Sequence, residues 1–173
     1  MAFGINDDGQ VVGWAYTSPA SGGDIHAFLK SGSGPMQDLG ALPGGRGSYA
    51  QDINNSGQIV GFAYTSGGDQ HAFLYSGGSM WDLNSFIAPS SGWTLTAAYG
   101  INDGGQIVGR GTNSSGQTHP FLLIPVPEPS TLVLLGIGAI GFLVYVWRRH
   151  NSTQVCRRAV CPLLPKVNPI FLT

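Results

Sequence analysis

The ten residues Gly4-Ile5-Asn6-Asp7-Asp8-Gly9-Gln10-Val11-Val12-Gly13 return at residues 52–61 as D-I-N-N-S-G-Q-I-V-G, and again at residues 100–109 as G-I-N-D-G-G-Q-I-V-G. The matching isoleucines, Ile5, Ile53 and Ile101, are spaced by 48 and 48 residues. No other feature narrows the fold so far, because a unit repeated at a fixed period buries its apolar face against its own copies. A second block recurs at another phase, as His26-Ala27-Phe28-Leu29, His71-Ala72-Phe73-Leu74 and His119-Pro120-Phe121-Leu122. A third, Met36-Gln37-Asp38-Leu39 and Met80-Trp81-Asp82-Leu83, occurs twice and is missing from the last repeat.

These blocks predict four short strands per unit: a Tyr-Ala-x-x-Ile strand, an Ile-Val-Gly-Phe-Ala-Tyr strand, then His-Ala-Phe-Leu and Met-x-Asp-Leu strands. Between the first two, N-[DN]-x-G-Q spells a tight hairpin, in which Asn or Asp bonds its own backbone and Gly supplies positive φ at no steric cost. The expected fold class is all-β, with four-stranded units of 48 residues that suit the blades of a partial β-propeller. A β-solenoid is the other arrangement that fits the period. Two units and most of a third fall short of a closed ring. The amino terminus, M-A-F-G-I-N, also lacks the basic start and apolar stretch of a secretory signal. Upstream blades and a signal peptide are therefore expected, or else closure by self-association.

Charged residues make up 10% of the chain, and their signs are segregated. All nine acidic residues precede residue 131, opposed there only by Lys30, Arg46 and Arg110, so three against nine leaves −6. After Trp147 come Arg148, Arg149, Arg157, Arg158 and Lys166, or +5. An acidic main body excludes nucleic acid as a partner, since phosphate binding needs a basic face. Both cysteines, Cys156 and Cys161, lie in the basic tail, so disulfides do not staple the repeats. Their separation is also wider than the two-residue gap of a redox or zinc pair.

Residues 131–147 hold no charge, and 17 residues span about 26 Å as a helix against a bilayer core of roughly 30 Å. The arginines that follow place the tail in the cytoplasm and act as a stop-transfer signal at Arg148 and Arg149. The chain thus divides into a β-repeat region at 1–123, a Pro-rich stalk at 124–130, a transmembrane helix at 131–147 and a basic cytoplasmic tail at 148–173.

Chemistry is sparse in the repeats. Asn6 to Gly9 offers oxygen ligands of the kind calcium needs, yet the second copy, Asn54-Asn55-Ser56-Gly57, drops the carboxylates and keeps the turn formers. His26, His71 and His119 share one phase. Equivalent sites of successive units stand apart, whereas catalysis needs unlike groups converging, so these histidines read as structural bonds between strands. Asp38 and Asp82 read as strand-end caps or turn residues. No Ser sits in a G-x-S-x-G setting, and the only Glu is Glu128. No catalytic, cofactor or metal residue is assigned, and the chain is expected not to be an enzyme.

Two resemblances add to this reading. The phased blocks over about residues 1–123 resemble the bacterial extracellular HAF repeat family, named for the motif at His26 to Phe28 and His71 to Phe73, which implies secretion but no chemistry. Val126-Pro127-Glu128-Pro129-Ser130-Thr131, followed by the apolar run and Arg148-Arg149, resembles the PEP-CTERM sorting signal of Gram-negative bacteria. That resemblance implies export, hand-over to an exosortase, and processing around Pro127, Glu128 and Pro129. It also implies a single-pass protein with its repeats outside the cell, released to the surface or matrix once cut. The expected partners are the membrane, an exosortase-like enzyme, and an exopolysaccharide or another surface protein, with Trp14, Tyr16, Tyr64, Trp81 and Trp93 as stacking faces. The alternative is the C-terminal fragment of a secreted propeller enzyme whose active site lies in upstream blades.

Overall fold

Each repeat unit forms one antiparallel sheet whose strands are ordered as in the chain. The computed structural model describes residues 1–18, 23–126 and 167–171, the last as backbone only. The first sheet comprises β1 (Ala2–Ile5), β2 (Val11–Tyr16), β3 (Ile25–Lys30) and β4 (Met36–Asp38). The second comprises β5 (Ser48–Ile53), β6 (Ile59–Tyr64), β7 (Gln70–Ser76) and β8 (Ser79–Asp82). The third holds β9 (Trp93–Ile101), β10 (Ile107–Asn113), β11 (Thr118–Pro125) and, on the outer edge, β12 (Val167–Phe171).

The hairpin motif folds as its residues dictate. In the first copy the Asn6 N–H donates to the Gln10 carbonyl at 3.1 Å and the Gly9 N–H to the Asn6 carbonyl at 3.0 Å. Gly9 sits at φ 70, and Gly57 and Gly105 repeat the geometry at 73 and 72. Gln10 has a role of its own: its N–H donates to Asn6 Oδ1 at 2.9 Å, while Asn6 Nδ2 donates to Gln10 Oε1 at 2.8 Å. This reciprocal pair recurs at Asn54–Gln58 and Asn102–Gln106, and it explains why Gln is kept in each turn.

Packing between the sheets supplies the core. Val12, Ala50, Ile53, Ile59 and Phe73 share one buried cluster between the first two sheets. Val60, Leu95, Ile101, Ile107 and Phe121 share another between the second and third. Successive strand residues point to opposite faces. Ile59 therefore serves one seam and its neighbour Val60 the other, and β6 reads as a continuous apolar run because both its faces are covered.

A polar ladder crosses the same seams at the turns. Asn6 Nδ2 donates to the Asn54 carbonyl at 3.2 Å, and Asn54 Nδ2 donates to the Asn102 carbonyl at 3.0 Å. Beside it, the Asp7 N–H donates to Asn55 Oδ1 at 2.9 Å and the Asn55 N–H to Asp103 Oδ1 at 2.8 Å. The Asn55 amide nitrogen donates both ways, to Asp7 Oδ2 at 2.7 Å and Asp103 Oδ2 at 3.0 Å.

The sheets stack in a row, the middle one packed on both neighbours, and do not close into a propeller ring. The third unit, which lacks a Met-x-Asp-Leu block, takes its fourth strand from residues 167–171, which the sequence reading assigned to a separate tail. Helix is confined, among the described residues, to the 3-10 turns Leu83–Phe86 and Pro89–Ser91. The predicted transmembrane helix at 131–147 lies outside the described residues; within them no helix is long and apolar enough to cross a membrane.

Candidate binding face and sorting segment

Alternation along a strand puts Trp14 and Tyr16 on one face of β2, and Phe62 and Tyr64 on the matching face of β6. Tyr49, on β5, joins the two pairs. Its ring stacks on Phe62 at 4.7 Å with an interplanar angle of 13°, and it meets Trp14 and Tyr64 edge-on at 5.5 and 6.2 Å. Trp14 meets Tyr16 edge-on at 6.2 Å. Burial pushes the Tyr49 hydroxyl above its ordinary pKa, and the nearby Tyr64 and Tyr16 hydroxyls add to that.

Beside this cluster lies a shallow cleft of about 290 Å³ lined by Tyr16, Tyr49 and Tyr64 together with Asp24 and Arg46. Tyr16 and Tyr64 are exposed. Aromatic rings rimmed by one cation and one carboxylate offer apolar faces and hydrogen-bonding edges to the same ligand, which is how rings of this kind hold a sugar or a planar group. Of the five aromatics singled out from the sequence, the structure brings Trp14, Tyr16 and Tyr64 together. Trp81 stands apart on β8, and Trp93 packs edge-on against His119 at 5.6 Å. Tyr49 and Phe62 were missed. Phase would have found Phe62, which lies 48 residues after Trp14, just as Tyr64 lies 48 after Tyr16.

The recurring histidines tie strands together. His26 Nδ1 lies 2.9 Å from Asp38 across β3 and β4, and His71 Nδ1 lies 2.6 Å from Asp82 across β7 and β8. Each aspartate also accepts a backbone N–H that ends its strand: Gly40 at 2.8 Å for Asp38, Asn84 at 2.8 Å for Asp82. His119 has no carboxylate at its phase and meets Trp93 instead. The two His–Asp pairs sit on separate sheets, and among the described residues no three His, Cys, Asp or Glu side chains gather as a metal site would require.

Pro127, Glu128, Pro129, Arg148 and Arg149 lie outside the described residues. The family of the PEP-CTERM protein-sorting motif matches the chain over residues 125–149, a stretch that takes in all five positions. That match begins at the last residue of β11 and leaves the repeats untouched. Neither the curated proteins nor the solved structures yield a match to this chain.

Proposed function

We propose that this chain is an exported surface protein, anchored through residues 131–147 and cut near Glu128 by a membrane exosortase-like enzyme that releases the repeat region to the surface or matrix. The observation that carries the reading is the sorting-motif match at residues 125–149. The chemistry of the segment suits it. Prolines flanking Glu128 lack amide donors and resist both helix and strand ladder, which favours access by a processing enzyme. An uncharged run ending in two arginines suits retention in the bilayer with the basic side in the cytoplasm.

The test is to express the full chain behind a secretory leader in hosts with and without an exosortase, and to follow release of the repeats by immunoblot. Release is expected only with the enzyme, and is expected to be lost in Glu128→Ala. Arg148→Glu with Arg149→Glu is expected to lose membrane retention before cutting. Release from the Glu128 variant, or without the enzyme, would reduce the segment to an anchor.

The repeats serve, in this reading, as a non-enzymatic binding or structural module, and the cleft at Tyr16, Tyr49 and Tyr64 fits a segment of exopolysaccharide. Stacking of each ring on a sugar contributes about 1 kcal/mol. Tyr16→Ala with Tyr64→Ala is therefore expected to weaken binding roughly tenfold or more. Affinity electrophoresis of the full chain in mild detergent, through gels containing hydroxyethylcellulose or alginate, reads the effect. Equal retardation of wild type and variant in both gels would remove the cleft from the reading.

A further inference from the structure

We propose that the outer faces of the first and third sheets are two halves of one seam, so that a second copy of this chain docks head to tail on the first. The internal seams show what each half must contain. Between the first two sheets, Val12 (0% exposed) and Ile53 (4%) lie in one buried cluster; between the second and third, Val60 (0%) and Ile101 (9%) do the same. Each seam thus takes a valine from β2 or β6 and an isoleucine from the first strand of the following unit. One valine and one isoleucine of the series are left over. Val108 on β10 is 49% exposed, and Ile5 on β1 is 68% exposed, with Phe3 also exposed on the same strand.

The polar ladder has matching ends. At each internal seam the leading unit donates, through an Asn amide and the next N–H, to a carbonyl and a side-chain oxygen of the following turn. At the far end of the row the Asn102 amide nitrogen reaches Gln106 of its own turn and, among the described residues, no further unit. At the near end the Asn6 carbonyl and the Asp7 carboxylate stand where Asn54 and Asn55 accept in the first seam. Along the Asn6, Asn54 and Asn102 rungs donors therefore face one way and acceptors the other, while the Asn55 side chain donates to both neighbours. A second copy continues the internal seams in kind, and because the two faces differ, the contact is heterologous and extends into a row or a ring.

One mismatch sets the strength of the contact. Internally, the Asn55 amide faces a carboxylate on either side. Between copies, Asp103 meets Asp7, and two like charges in register oppose docking. Asp7→Asn removes that like-charge contact and sets an amide against the Asp103 carboxylate.

Sedimentation velocity of the full chain in a mild non-ionic detergent tests the inference. Wild type is expected to show oligomers that grow with concentration. Ile5→Asp and Val108→Asp, both exposed positions where the melt should match wild type, are each expected to remain monomeric. Mixed, they are expected to form dimers and nothing larger, since one retains the tail face and the other the head face. Asp7→Asn is expected to tighten association about tenfold, the effect of relieving one like-charge contact. A monomeric wild type, oligomers persisting in either single variant, a mixture that stays monomeric, or no gain from Asp7→Asn would each overturn the proposal; persistence in both variants would locate association in residues 131–147 instead.

Discussion

Gly61→Ala is expected to destabilise the folded repeat region by about 3 kcal/mol, enough to lower its melting temperature by roughly 10 °C. The cause is a register slip in the β5–β6 pairing between Ala50 and Asp52, which swings the Tyr49 carbonyl across β6. A Cβ on Gly61 would stand 2.0 Å from that carbonyl oxygen and 2.9 Å from the Phe73 ring. The oxygen belongs to a paired backbone, and Phe73 is fully buried, so neither can withdraw cheaply. Gly13 and Gly109 stand in the same relation to the carbonyls of Met1 and Ala97. Gly34→Ala, in an exposed turn with no close neighbour beyond the Ser31 carbonyl, is the control, expected to change stability by less than about 0.5 kcal/mol. Urea melts of the full chain in detergent separate the two. Equal small effects would mean that β5 and β6 do not approach as described.

The second large effect is expected at Asn54. Its side chain donates to Gln58 Oε1 at 2.8 Å and to the Asn102 carbonyl at 3.0 Å, and accepts from the N–H groups of Ser56 at 3.1 Å and Gln58 at 2.9 Å. It is buried, so removal strands its partners away from water. At about 1 kcal/mol for each of the four bonds lost, Asn54→Ala is expected to cost about 4 kcal/mol. Asn102→Ala removes the turn's own pair from an exposed site and is expected to cost about 1 kcal/mol. The same substitution at two positions of one phase thus contrasts a turn bonded to the next unit with one that, among the described residues, is bonded only within itself. Equal losses would show that the ladder adds nothing beyond the turns it links.

The period set the units, and within them the strand blocks and the Asn-x-x-Gly-Gln hairpins follow from spacing alone. What spacing hid is instructive. Asn54 was read as a turn former because a local bond and a bond to the next unit call for the same residue, and only the fold reveals that its second N–H points outward. The glycine of Ile-Val-Gly looked like an ordinary strand residue, since the close approach that requires it comes from a slipped partner strand. Tyr49 occupies a position held by Met1 and Ala97 in the other units, so no phased pattern announces it as the centre of the aromatic cluster. Phe62 and Tyr64 lie in phase with Trp14 and Tyr16, and considering the aromatics by face rather than singly would have assembled most of that site. The fourth strand of the third sheet was hidden because it carries no block of the repeat and arrives from the far end of the chain.

That last strand places a condition on where the chain can be. Val167–Phe171 lies antiparallel to β11, with Pro169 opposite Leu123 on the outer edge, a position that tolerates the missing amide of a proline. Strands that share hydrogen bonds must share a side of any bilayer. A molecule with residues 131–147 threaded through a membrane separates β11 from residues 167–171, and a molecule with this sheet complete has both on one side. The pairing and the proposed single crossing therefore exclude one another within one molecule. A molecule that made the proposed crossing would leave the outer edge of β11 without this strand, on the side where the repeats remain.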